Sequence, residues 1–293
     1  MTKDNPKLIA VGDNCLDAYL TKGFVTVGGN ALNVAVQWRR HGLGARYFGA
    51  LGQDTEADIM LEAIGEAGLD RSDVEIRPGS SAVTLLADDA GERRFLLESL
   101  GVGEDYVPSP ERYEMLRQAD WVHLGTNASE QLVRRLVADG MPFSIDVSTR
   151  HFELSLEGVP LVFASGPDDP SEAVEPLIAR FRAAGARQIV ITCGKRGSFY
   201  DDGGSVTEAG SVPVDVVDTC GAGDSFIATF ITSRFFAERS GRAALDLAAE
   251  RASETCTHLG GFPQPILAIP QWLLAKYDDV IRGTQRTDRK SVV

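Results

Sequence analysis

Asp218-Thr219-Cys220-Gly221-Ala222-Gly223-Asp224 has the residue types and spacing for phosphate chemistry. It stands where a strand ends and an apolar helix begins. Gly221, Ala222 and Gly223 would put bare backbone N–H groups at a helix N-terminus, where unpaired amides and the helix dipole favour an anion. Asp224 would then sit in the first helical turn, beside any phosphate held by those amides. A carboxylate there can take the proton of an attacking hydroxyl while the amides stabilise charge on the phosphoryl group in flight. The plainer alternative is a glycine-rich turn with Asp224 as an ordinary first-turn residue.

Gly28-Gly29-Asn30-Ala31-Leu32-Asn33 is the second such segment. Two glycines allow a ligand to approach the backbone closely before a helix starts. Asn30 and Asn33 are three apart and share a helical face, and their amides suit the vicinal hydroxyls of a polyol. Removing the Asn33 amide should therefore raise mainly the KM for such a polyol. Asp13 falls just past the C-terminal end of the first strand, where open α/β sheets bind their ligands. Asn30 also reads as a simple N-cap, which is compatible with a ligand role.

Thr192-Cys193-Gly194-Lys195-Arg196-Gly197 follows a strand, and Thr192, Gly194 and Gly197 could line a nucleotide. Lys195 is not a P-loop lysine, because Ile189 occupies the place where Gly-x-x-x-x-Gly-Lys needs its first glycine. Neither Gly101-Val102-Gly103 nor Gly221-Ala222-Gly223 completes Gly-x-Gly-x-x-Gly. The four histidines, His41, His123, His151 and His258, are scattered and suggest neither a triad nor a metal site. Arg93-Arg94 reads as a solvated hairpin face or an anion clamp.

Positioning these groups falls to short apolar strands that alternate with helix-length segments. Strands are expected at 7–12, 46–51, 121–124, 143–147, 161–164 and 188–192. Helices are expected at 30–41, 56–67, 130–139, 171–184, 222–237 and 242–258, with Leu245, Ala248, Ala249, Ala252 and Cys256 as a packing stripe. Such alternation argues for a mostly parallel, doubly wound sheet with helices on both faces. Segments 18–27 and 74–98 break the rhythm and read as short antiparallel strands, either a lid or an edge sheet. The 293 residues carry 29 Lys and Arg against 42 Asp and Glu, a net charge of −13. That surface disfavours nucleic acid and anionic lipid. No apolar run reaches the roughly 18 residues of a membrane span. The N-terminus has no signal-peptide layout, so a cytoplasmic location is expected. Four isolated cysteines suggest neither a zinc site nor a disulfide framework.

Taken together, the Gly28–Asn33 and Asp218–Asp224 segments resemble the two signatures of the ribokinase-like (PfkB) carbohydrate kinases, over roughly residues 7–262. The resemblance implies an α/β fold with a ribokinase-like sheet, helices on both faces and a small β-sheet lid. Residues 1–283 would form a single kinase domain with lid segments near 18–27 and 74–98, and residues 284–293 a frayed tail. It further implies ATP-dependent phosphorylation of a sugar hydroxyl, with Asp224 as base and Gly221, Ala222 and Gly223 as anion hole. Mg²⁺ would travel with the nucleotide. Asp13, Gly28, Gly29, Asn30 and Asn33 would face the sugar, and Thr192, Gly194 and Gly197 the adenine nucleotide.

Within the family, Gly12–Tyr19, Gly28–Val36, Ala164–Pro167 and Asp224–Ala228 are similar to fructoselysine 6-kinases, which phosphorylate C6 of a fructose carrying an amino acid on C1. The family's Asn-x-x-Glu motif is replaced by Ser165-Gly166-Pro167-Asp168, which leaves Asp168 as a metal candidate. Arg93 on the lid hairpin is assigned to the substrate. A fructokinase or other furanose kinase is the alternative within the family, and a non-catalytic sugar- or nucleotide-binding protein the alternative outside it. Related folds pair through the lid, so a homodimer is expected by analogy.

Overall fold

The computed structural model describes residues 5–89 and 92–288. Strand β1 (Leu8–Val11) sets the frame, because all four of its residues are buried. Leu8 and Ala10 enter one apolar core, and Ile9 and Val11 enter another. Successive side chains of a strand face opposite ways, so a strand buried throughout requires cover on both faces.

The chain leaves β1 for two small-sheet strands, β2 (Cys15–Tyr19) and β3 (Phe24–Gly28). It returns through α1 (Asn30–Arg40) to β4 (Ala45–Leu51). Helix α2 (Thr55–Glu66) starts where the Asp54 carboxylate accepts from the Ala57 N–H at 3.1 Å. Then come β5 (Val74–Ile76) and the hairpin β6 (Val83–Asp89) and β7 (Glu92–Ser99). The alternation resumes with α3 (Pro110–Arg117), β8 (Trp121–Leu124), α4 (Glu130–Ala138) and β9 (Phe143–Asp146). It continues with β10 (Leu161–Ser165), α5 (Glu175–Ala183) and β11 (Ile189–Thr192). Antiparallel β12 (Ser198–Asp201) and β13 (Val206–Ala209) finish that edge. Helices α6 (Ala222–Ile231) and α7 (Gly241–Thr255), strand β14 (Leu267–Ala268), and helices α8 (Gln271–Lys276) and α9 (Asp278–Asp288) complete the chain.

The main sheet has nine strands in the order β13-β12-β11-β10-β9-β8-β1-β4-β5. Connections run outward from β1 on one side and from β8 on the other. This change of direction opens a crevice at the strands' carboxyl ends. The small sheet, β14-β3-β2-β6-β7, stands beside it.

Several expectations need correction. Val74–Ile76 pairs parallel with β4, Gly49 opposite Val74, so it extends the main sheet rather than the lid. The lid instead gains β14, which pairs with β3. Strands of three and two residues are too short to show alternation in a sequence. The β12–β13 pair was also not foreseen, although Asp201-Asp202-Gly203-Gly204 between its strands is a turn signal. Helix α9 runs to Asp288, into the segment expected to fray, and residues 289–293 lie outside the described residues. Finally, the helix expected over 222–237 ends in a π turn, Thr232–Phe236. There the Thr232 hydroxyl donates to the Ala228 carbonyl at 3.0 Å.

Candidate active site

Helix α6 begins at a turn that only glycine can make. Gly221 has φ 73°, and a Cβ there would lie 2.3 Å from the Gly261 Cα. The buried Asp218 carboxylate holds the turn from below, accepting from the Cys220 N–H, the Gly260 N–H and the Tyr19 hydroxyl, each at 3.0 Å. The Ala222 N–H donates to the Thr219 carbonyl at 3.3 Å. The N–H groups of Gly221 and Gly223 have no acceptor among the described residues, so the free donors come from the two glycines. Asp224 follows in the first helical turn.

Helix α1 begins in the same crevice. Gly29 has φ 111°, and a Cβ on it would lie 2.4 Å from the Asn14 Cα. Asp13 accepts from the Asn30 N–H at 2.8 Å and from the Ala31 N–H at 3.5 Å, so part of its carboxylate caps the helix. Asn30 Nδ2 donates to Asp224 Oδ1 at 2.6 Å and to Asp146 Oδ2 at 2.8 Å. Asn33 Nδ2 donates to Asp224 Oδ2 at 2.6 Å. The two asparagines expected to serve the sugar therefore hold the carboxylate expected to act as base.

Asp146, at the end of β9, completes a group of three carboxylates with Asp13 and Asp224 and was not anticipated. It is steadied by the Ser148 N–H at 2.8 Å and the Thr126 hydroxyl at 3.4 Å. Burial pushes the Asp224 carboxyl up to about 7; the charges of Asp146 and Asp13 act in the same direction, and the Asn33 and Asn30 amides oppose them. Burial also raises Asp146, to about 6, against the Ser148 N–H. Asp13 is raised by burial as well, with the N–H groups of α1 pulling it back. Carboxyls crowded out of water in this way are a mark of sites that move protons.

Two cavities flank the turn into α6. A cavity of about 200 Å³ between the crevice and the lid is lined by Asp13, Gly29, Asn30, Asn33, Gly221 and Asp224. Gly28 lies directly behind it, with the Asn33 amide 3.5 Å from where its Cβ would be. On the other side of the turn, about 620 Å³ opens beneath Thr192, Gly194 and Gly197 and reaches Ala222 and Gly223. Val212, Val214 and Val216 give it an apolar wall, and its size is that of a small-molecule site.

The profile of the pfkB family of carbohydrate kinases matches residues 9–139 and 156–266. The chain belongs to that family. It is 33% identical over 231 residues to the fructoselysine 6-kinase of Escherichia coli K12, covering 76% of this chain and 87% of that one. It is 31% identical over 264 residues to the fructosamine kinase FrlD of Bacillus subtilis, covering 87% and 93%. Among solved structures, the ribokinase of Arabidopsis thaliana, complexed with ribose and ATP, superposes with a TM-score of 0.76 at 22% identity, covering 89% and 96%. This chain is accordingly an ATP-dependent sugar kinase with a ribokinase-like fold.

In this pfkB kinase the lid supplies groups that sequence reasoning passed over. Asp17 on β2 pairs across to Thr84 on β6, and Thr84 to Glu98 on β7. These three form one row across the lid, and all three line the smaller cavity. Arg93 is on β7, and its side chain lies outside the described residues. Asp168 is exposed, and its carboxylate abuts Gly194 at the nucleotide cavity, with Oδ1 2.4 Å from where a Cβ would stand. No group of three or more His, Cys, Asp or Glu that could hold a metal occurs among the described residues. Nor is any described helix long and apolar enough to cross a membrane. Ala249, Ala252 and Cys256 of the α7 stripe form a wall of the nucleotide cavity as well as packing the helix.

Proposed function

We propose that this kinase transfers the γ-phosphoryl group of ATP to the C6 hydroxyl of a fructosyl-amino acid such as fructoselysine. The observation that carries the phosphotransfer is Asp224 itself, a half-buried carboxylate that lines the smaller cavity and follows directly on Gly223 of the nucleotide cavity. With its carboxyl near 7, it is matched to taking a proton at neutral pH. The C6 oxygen forms its bond to the γ-phosphorus, its proton passes to Asp224, and the bond from that phosphorus to the bridging oxygen breaks, releasing ADP. Free N–H groups of Gly221 and Gly223 face the phosphoryl oxygens as charge spreads over them.

The substrate's identity is supported by the lid and by what the fructoselysine and fructosamine kinases are named for. A fructosyl-amino acid carries a cationic secondary amine on C1. Asp17 and Glu98 place carboxylates on the lid side of the smaller cavity, and no Lys or Arg is among its described lining residues.

Mg²⁺ belongs to this reading as an ion carried on the triphosphate, where it neutralises phosphate charge. Magnesium is commonly held by one or two carboxylates with phosphate oxygens and water filling the remaining positions. Asp168, beside Gly194, is the carboxylate on the nucleotide side that fits such a sparse donor set.

The test is ADP release with Mg-ATP across fructose, ribose, fructoselysine and other fructosyl-amino acids, beside Asp224→Ala. Selective turnover of a fructosyl-amino acid supports the assignment. Turnover of a free sugar alone keeps the chemistry and removes the substrate. Sugar binding without sugar-dependent ADP release overturns the kinase reading.

A further inference from the structure

At the centre of β8, where every residue is buried, the chain places His123 at 0% exposure. Its ring packs edge-on against Phe163, centroids 6.2 Å apart, in the core shared with α1 and α6. A buried polar side chain must find partners, and both ring nitrogens have one. Nδ1 lies 3.0 Å from Ser144 Oγ, and Nε2 lies 3.3 Å from Asn30 Oδ1. Ser144 Oγ also receives the indole N–H of Trp121 at 3.0 Å.

The hydrogens along this chain can be placed by elimination. Trp121 Nε1 only donates, so Ser144 accepts there. Asn30 must direct its NH₂ group at Asp224 and Asp146, since a carbonyl oxygen facing two carboxylates would repel them. Its Oδ1 therefore faces His123 as an acceptor, and Nε2 must carry a hydrogen. Nδ1 is left bare to accept the single hydroxyl hydrogen of Ser144. Only neutral imidazole fits this arrangement, and burial holds His123 near 3, well below its usual range. The line runs from Trp121 through Ser144, His123 and Asn30 to Asp224 and Asp146, with each donor facing an acceptor.

We propose that His123 is a positioning residue for phosphoryl transfer: its Nε2–H fixes the orientation of the Asn30 amide, which keeps both amide hydrogens on Asp224 and Asp146. The inference rests on Asp224 as the base. Without the imidazole donor, nothing described holds Asn30 Oδ1 in place. The amide is then free to rotate, weakening its bond to Asp224 and letting that carboxyl rise further. Asp13 and Asp146 face Asp224 from the main sheet, Cys15, Asp17 and Glu98 from the lid, and Cys220 from the turn before α6. None of these changes in the variants below, so a shift of the acid limb reports on Asn30 and His123.

The test compares His123→Gln, His123→Leu and Ser144→Ala with the parent and with Asp224→Ala. It uses ADP release on whichever sugar the substrate screen identifies, with melting temperature as a control on folding. His123→Leu should lower kcat by about 10²-fold, the scale of a misplaced catalytic group. The KM for ATP should hold within about 2-fold, since no nucleotide contact is removed. The acid limb of the kcat–pH profile should move to higher pH. His123→Gln, which keeps a donor toward Asn30, should recover most of kcat, and Ser144→Ala should fall in between. Nitrogen NMR of the parent should show neutral imidazole with its hydrogen on Nε2 across neutral pH.

Hydrogen on Nδ1, a charged ring, or a His123→Gln variant no better than His123→Leu would overturn the inference. So would a loss of kcat with an unmoved acid limb. If His123→Leu does not fold, His123→Gln and Ser144→Ala decide by the same criteria. Activity persisting in Asp224→Ala would remove the base itself, an outcome separate from failure of the histidine alone.

Discussion

Asn33 Nδ2 lies 2.6 Å from Asp224 Oδ2, while the Oδ1 of the same amide is buried without a partner. Half of the Asn33 side chain is thus committed to the base, and the other half is left unpaired inside the protein. On sequence grounds Asn33 serves the sugar, and its loss should act on KM. The geometry redirects that expectation toward the chemical step.

Asn33→Ala should therefore lower kcat more than it raises the KM for sugar. A hydrogen bond to a charged group is worth about 1.5–3 kcal/mol. Losing one should lift the acid limb of the kcat profile by about one pH unit or more, at 1.36 kcal/mol per unit. A rise in KM for sugar with an unmoved acid limb would return Asn33 to the substrate.

For Asp224, kcat should rise with pH through an apparent pKa near 7, because only the ionised carboxylate can take the hydroxyl proton. Asp224→Ala should cut kcat by about 10²–10⁴, the usual worth of a general base, with the fold retained. Near-parental turnover would remove the role.

The same carboxyl costs stability at neutral pH. Its folded pKa is raised above the unfolded value of 3.8, so the folded state binds its proton more tightly than the unfolded state does. Stability from this group falls as pH rises from about 4 through 7. Asp224→Asn should then raise the melting temperature of the ligand-free protein at pH 8, on the order of 2 °C, with the gain fading toward pH 4. Asn33 can turn its unpaired Oδ1 to accept from the new amide. A lower melting temperature at pH 8 would mean that burial is not what raises this carboxyl.

Gly221→Ala should disrupt both the turn and nucleotide binding. Positive φ on a residue with a side chain costs about 1–3 kcal/mol, and its Cβ would meet the Gly261 backbone at 2.3 Å. A lower melting temperature with weakened ATP binding is expected. Full activity at parental stability would show that the turn adapts.

Glu98→Gln should raise the KM for a fructosyl-amino acid several-fold while leaving the KM for free fructose unchanged. In the proposed function, the lost charge is the one that would pair with the amine on C1, which free fructose lacks. Equal effects on both sugars would place Glu98 outside recognition of the amine.

Much of this was visible in the chain itself. Leu8–Val11, Trp121–Leu124 and Ile189–Thr192 are short apolar runs separated by helical periodicity, and local pattern alone yields a layered α/β sheet. Gly28-Gly29-Asn30 and Gly221-Ala222-Gly223-Asp224 were legible for a related reason. Turns at positive φ and helix starts write their demands into adjacent residues.

What the sequence could not determine is which distant groups share a crevice. Asp146 closes an ordinary strand, His123 sits within a run otherwise apolar, and Glu98 lies on a hairpin face like any solvated one. Each gains its part only through sheet order, which sets β8 beside β1 and β9 beside β8, and through strand register, which lines up Asp17, Thr84 and Glu98. A proton's affinity for Asp224 depends on burial, on the Asn33 and Asn30 amides of α1 and on the charges of Asp146 and Asp13. That quantity does not exist until the chain has folded, and the tertiary structure alone decided it.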